Sequence, residues 1–186
     1  MRLFTFFSLI MLPLLANSQD KPKRPVIEYL NMTSFSMTKN TESYFTDYHS
    51  DEVRANDGLA FDLNTIHGAK FFGYVALSAG FSVDWNINKT FLSTPLIVDI
   101  RVFSSRTSEN PLFFYLQTGP NIRWSDSFGS DGTTSKGGVG MIFKYDENVS
   151  YYFDIFKKSK VISLEDNTHD GNYNATGYGI SLGIQF

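Results

Sequence analysis

Cysteine is absent from all 186 residues. That excludes a disulfide framework, a thiolate zinc site, an iron–sulfur cluster, a cysteine nucleophile and a lipid-modified N-terminal cysteine. Charge is scarce as well: 19% of residues, with a net charge of −3. A chain so balanced carries no electrostatic footprint for nucleic acid. Histidine occurs three times, as His49, His67 and His169. No H-E-x-x-H, Walker, G-x-S-x-G or dinucleotide fingerprint accompanies them. After the first residues no apolar run reaches the ~18 positions that a membrane-spanning helix needs.

What the chain does have is aromatic side chains: 18 Phe, 10 Tyr and 2 Trp. So many rings exclude a disordered chain and favour strands over helices. The length suits one domain. At the start, Arg2 precedes an apolar stretch, Leu3–Leu15, and Ala16-Asn17-Ser18 supplies small residues for cleavage before Gln19. This reads as a signal peptide over 1–18, leaving 19–186 as the mature domain. An exported chain without cysteine fits a bacterial envelope better than a eukaryotic secretory route.

Period-two alternation dominates the rest. It is clearest at the C-terminus, where Tyr178, Ile180, Leu182, Ile184 and Phe186 alternate with Gly, Ser and Gln. The expectation is eight strands, near 26–37, 57–66, 71–85, 92–104, 111–124, 136–146, 149–161 and 175–186, the first being the least sharply patterned. Connections 67–70, 105–110 and 147–148 are short. Segments 38–56, 125–135 and 162–174 are long, and only Ser50–Ala55 offers a turn of helix. An even strand count with short turns at one end and long loops at the other describes an all-β, antiparallel, up-and-down transmembrane β-barrel.

The face opposite the apolar one is rich in Gly, Ala and Ser, too small for a solvated exterior and suited to a narrow lumen. It also carries charges of both signs. Asp62, Asp84, Asp99 and Asp154 with Arg101, Arg123 and Lys144 are expected to form a paired network inside the barrel, since unpaired they would be costly there. With a periplasmic N-terminus, Phe71, Phe72, Phe103, Phe113, Phe114, Tyr145, Tyr151, Tyr152 and Phe186 fall near the periplasmic strand ends. Trp85, Phe91, Trp124 and Tyr178 fall near the outer ends. Two aromatic girdles would result, with Phe71, Phe114, Tyr145 and Tyr151 in one and Trp85 and Trp124 in the other.

Four segments, Thr65–Trp85, Ser93–Phe103, Pro111–Trp124 and Tyr178–Phe186, resemble the small porin-like outer-membrane β-barrel proteins of the Bacteroidetes type. The resemblance implies that Tyr178, Ile180, Leu182, Ile184 and Phe186 form the C-terminal signal read by the outer-membrane assembly machinery. The sequence ends at the barrel, where the larger OmpA-type proteins continue, so no periplasmic peptidoglycan-binding domain is expected.

Chemistry is sparse. His49-Ser50-Asp51 could imitate a lipid-modifying enzyme's loop group but reads as solvated loop. His67 is placed in a short turn and His169 in a long outer loop. Asp166–Gly171 is a poor calcium loop, with Thr168 and Gly177 at positions that want acidic or amide ligands. Gly137-Gly138-Val139-Gly140 lacks the Lys and helix of a phosphate loop and reads as close packing. The expectation is a monomeric, non-catalytic outer-membrane protein without cofactor or metal. It would meet membrane lipid, the assembly machinery and an unidentified extracellular partner through its loops. The competing reading is a soluble, exported, lipocalin-like barrel whose apolar faces line a ligand cavity. The two differ in the direction in which Leu182, Ile184, Leu116 and Val98 point.

Overall fold

The computed structural model describes residues 26–47, 52–55, 58–86, 91–122, 132–144, 146, 148–166 and 169–186. The expected signal segment 1–18 lies outside them, as do His49, Arg123, Trp124 and Tyr145. The strands are β1 (Ile27–Asp47), β2 (Glu52–Arg54), β3 (Leu59–Phe71), β4 (Val75–Asn86), β5 (Phe91–Ser93), β6 (Leu96–Phe103), β7 (Leu112–Pro120), β8 (Gly132–Lys144), β9 (Ser150–Asp166) and β10 (His169–Gln185).

Eight of these close into an antiparallel ring in the order β1-β3-β4-β6-β7-β8-β9-β10, with β10 returning to β1 from Met32↔Gln185 to Asp47↔Gly171. The short β2 and β5 flank β1 and β4 as accessory pairings. Closure is what the alternating sequence needs. A closed sheet leaves no unpaired edge, so the main chain can face an apolar medium without orphaned N–H or C=O groups.

The faces separate the two sequence readings. Leu182 is 65% exposed, Leu116 67% and Val98 64%, all pointing out of the barrel, with half-buried Ile184 on the same face. On β6, Leu96, Val98, Ile100 and Val102 point outward while Ile97, Asp99, Arg101 and Phe103 are buried. The apolar set is therefore the exterior, and the lipocalin-like arrangement is not the one observed.

Several boundaries differ from expectation. The segments expected as loops 38–56 and 162–174 are largely strand. β1 runs on to Asp47 and pairs with β10 past a bulge at Asn40/Glu42, and β9 with β10 forms a hairpin reaching Asp166↔His169. Above the apolar belt both faces of these strands are polar or mixed, so pairing continues after the alternation has ended. Residues 52–54, inside the expected loop and the one place that offered a helical turn, are β2 and pair with Thr46–Tyr44. His169 consequently opens a strand. Residues 67–70 belong to β3, and the turn sits at Phe72-Gly73, both with positive φ (52° and 74°). Gly68 looks like a turn glycine, but its role is close packing: a Cβ there would strike the Leu77 carbonyl oxygen and the Ser78 backbone.

Candidate functional site

Inward-facing side chains fill the lumen in tiers. At the end bearing the short turns, Leu30, Met32, Ile66, Ala76, Phe103, Phe113, Ile142 and Tyr152 form a buried apolar cluster. Phe113 meets Phe103 at 6.1 Å and the edge of Tyr152 at 5.8 Å between centroids. Three of the rings expected near the periplasmic strand ends, Phe103, Phe113 and Tyr152, are thus interior. They sit one residue out of phase with exposed Phe114 and Tyr151, and neighbours in a strand point to opposite faces.

Above this cluster lies Arg101, whose Nε is 3.0 Å from Asp99 Oδ1. Its guanidinium stands over the Tyr115 ring at 4.5 Å and the Phe113 ring at 5.1 Å. Tyr115 donates its hydroxyl to Asp154 Oδ1 at 2.8 Å. Residues 99 and 101 lie on one face of β6, so strand geometry alone places the carboxylate beside the guanidinium.

The next tier holds the lysines. Lys158 Nζ lies 2.9 Å from Asp62 Oδ2 and 2.8 Å from Asp84 Oδ2. Lys160 also pairs with Asp84 and donates to Ser93 Oγ at 2.8 Å. Lys136 donates to Asp62 Oδ1 (3.4 Å), Ser36 Oγ (2.9 Å) and Ser181 Oγ (3.4 Å). Its ammonium also sits 3.9 Å from the Phe156 ring centroid. Ser82 supplies Asp84 with a further hydrogen bond of 2.7 Å, and Asn64 donates to Gln117 Oε1 at 3.1 Å.

Of the residues expected in a lumen network, Asp62, Asp84, Asp99, Arg101 and Asp154 are buried inside the barrel. Lys144 is not among them: it is exposed at the end of β8, beyond the last interior position, so it stands at the rim. The cations that meet Asp62 and Asp84 are Lys136, Lys158 and Lys160, which sequence reasoning passed over. Their signal was parity. Lys158 and Lys160 share the even-numbered face of β9 with Asp154, and Lys136 shares that of β8 with Gly138 and Gly140. The charge run Lys157–Lys160 masks this by resembling the solvated face of a strand.

With these cations included, four acids face four bases, and the space between them is small. A cavity of about 10 Å³ lies among Asp62, Asn64, Asp84, Gln117, Lys136 and Lys158, about the volume of a single water probe. This interior is a packed polar plug resting on an apolar one.

On the exterior, Phe114, Tyr151, Phe72 and Phe186 are exposed at the short-turn end, with Phe71 half-buried beside them. Toward the other end, Trp85 stacks on Phe61 at 5.7 Å, and Phe61 on Phe35 at 5.7 Å. The C-terminal row Tyr178, Ile180, Leu182, Ile184 and Phe186 faces outward next to β1, and the Phe186 N–H donates to the Asn31 carbonyl at 3.0 Å.

No protein-family model matches the sequence, and neither does any curated protein. Among solved structures, the chain is similar to Neisserial surface protein A, with 11% identity over 85% of this chain and 97% of that one, at a TM-score of 0.53. OprG, an outer membrane protein from Pseudomonas aeruginosa, aligns with 11% identity over 85% of this chain and 95% of that one, at a TM-score of 0.46. At such identity the likeness to the neisserial protein is one of fold, the closed eight-stranded barrel.

Proposed function

We propose that this chain is a non-catalytic β-barrel of the bacterial outer membrane, of the small porin-like kind that the Bacteroidetes-type segments resemble. One observation carries the reading: the apolar side chains point outward around the ring while four acids and four bases fill the interior, three of the acids ion-paired and Asp154 held by the Tyr115 hydroxyl. In water that arrangement exposes a broad apolar wall. In a bilayer it places the wall in hydrocarbon and the charges where they satisfy one another.

The roles that follow are support of the envelope and interaction at the cell surface, with at most slight permeability. The monomer would be exported after cleavage near Ser18. The outward row ending in Phe186 would present the assembly machinery with its recognition signal, and the long-hairpin end would meet an extracellular partner. A lumen plugged by side chains cannot pass a large solute.

Fractionation tests the membrane reading. The protein should sediment with outer membranes, resist alkaline carbonate and come off only in detergent; recovery as soluble protein would overturn it. Reconstituted in planar bilayers, it should give no stable, large conductance steps, and their appearance would sink the plugged lumen.

A further inference from the structure

The outer wall is not uniform. One hydrogen-bonded row runs Leu77–Ile100–Leu116–Gly137–Lys157–Tyr178 across six strands, in register throughout. The row above it runs Val98–Thr118–Ser135–Ser159–Thr176. The lower row is apolar until Gly137, where it meets a cation. The upper row is apolar once and then hydroxylic on four strands, with Thr118 bonded to Ser135 at 3.0 Å and Thr176 to Ser159 at 3.3 Å. Between the two lies an open groove of about 550 Å³, floored by Val98, Ile100 and Leu116 and rimmed by Thr118, Ser135 and Lys157.

Two details make this a built feature. A Cβ at Gly137 would meet only Leu116 Cδ2, at 3.0 Å, and the Tyr115 carbonyl oxygen, at 3.6 Å. Backbone crowding therefore does not require this glycine; what its missing side chain provides is the depression beside Leu116. Lys157, directly across from it, is exposed and has no carboxylate partner among the described residues. Its ammonium is 5.8 Å from the Tyr178 ring centroid.

We propose that this groove binds one anionic membrane lipid. The phosphate sits against Lys157 and the hydroxyls of Ser135 and Thr118, and an acyl chain lies over Gly137 onto Leu116 and Ile100. Lys157, with exposed Lys39 beyond Tyr178 in the same row, puts positive charge at the upper border of an apolar wall, complementary to an amphiphile whose charge and tail meet at that level. The groove's volume is in the range of small-ligand sites. The proposal rests on the membrane reading and adds to it a specific lipid contact in the leaflet nearer the long hairpins.

The test uses the full mature chain in non-ionic detergent, titrated with phosphatidylglycerol or with phosphatidylcholine of the same acyl chains, and bound lipid is counted by native mass spectrometry. One phosphatidylglycerol should bind with a preference of about tenfold, the scale of one charge-assisted contact. Lys157→Gln should abolish the preference, and Gly137→Leu should weaken both lipids by blocking the groove. Lys144→Gln, exposed at the rim of the opposite end, should change nothing. Inorganic phosphate should not compete, which separates a lipid from a free anion; competition would overturn the lipid assignment. Equal binding of the two lipids, or unchanged binding in both groove variants, would overturn the proposal. Circular dichroism and flotation with liposomes monitor folding and insertion. Protein that floats without selectivity refutes the groove alone, and protein that fails to float refutes the membrane reading and the groove with it.

Discussion

Asp84 receives Lys158, Lys160 and the Ser82 hydroxyl, and it is 1% exposed. Neutralising it leaves three ammonium groups, those of Lys136, Lys158 and Lys160, around one remaining carboxylate, Asp62, in a confined interior. Asp84→Asn should therefore cost about 3–5 kcal/mol of folding stability, the usual penalty for breaking a buried pair from one side. Lys144→Gln, at the rim, should fall within about 0.5 kcal/mol of the parent. Urea unfolding in lipid vesicles, followed by tryptophan fluorescence, reads both. The site was partly legible at this scale. The acids could be placed because each stands alone among small or apolar neighbours in a clean alternation. The lysines were obscured because Lys157, Lys158 and Lys160 crowd together, and a charge cluster reads as solvated until strand parity divides it. Lys144 shows the converse error, since correct parity says nothing about whether a strand has already left the barrel.

Strands were legible where one face meets an apolar surrounding and the other does not. The second half of the sequence has this contrast within the belt, and there β6, β7 and the lower part of β10 lie close to where alternation places them. Above the belt the contrast disappears, so in sequence the upper parts of β1, β9 and β10 look like loops. β1 is also weakly patterned within the belt, because its wall is interrupted by polar groups matched across to β3. Tyr29 Oη lies 2.7 Å from His67 Nδ1, and the hydroxyls of Thr33 and Thr65 are 3.0 Å apart. In the membrane reading this face meets hydrocarbon, and each hydroxyl then depends on the other. Thr33→Val should cost about 1–3 kcal/mol by stranding Thr65, and adding Thr65→Val should recover most of the loss. A double-mutant cycle on stability in vesicles measures the coupling, and strict additivity would show that the pair does not act as one.

For the whole molecule, the long β1–β10–β9 wall rises above the ring at one end, while tight turns such as Phe72-Gly73 mark the other. The outer-membrane reading orients this asymmetry with the wall toward the exterior. A chain free of cysteine makes the orientation easy to check. A single cysteine replacing exposed Asn172, on the wall, should react with a membrane-impermeant maleimide on intact cells, whereas one replacing exposed Glu109, in a turn at the opposite end, should react only after the envelope is opened. The reverse pattern would invert the barrel. The same ring has one junction that its chain does not bridge with a hairpin, where β1 meets β10. There the hydroxyls of Ser36 and Ser181 are 2.9 Å apart, and the Lys136 amine reaches both from β8. That amine is satisfied only when the two ends of the chain have come together. In a sheet that has not yet rolled up it stands open to acylating reagents, and afterwards it is shielded. A brief acylation pulse during assembly should leave its mark on Lys136 in unfinished chains alone, so that one buried lysine keeps a dated record of when each barrel shut.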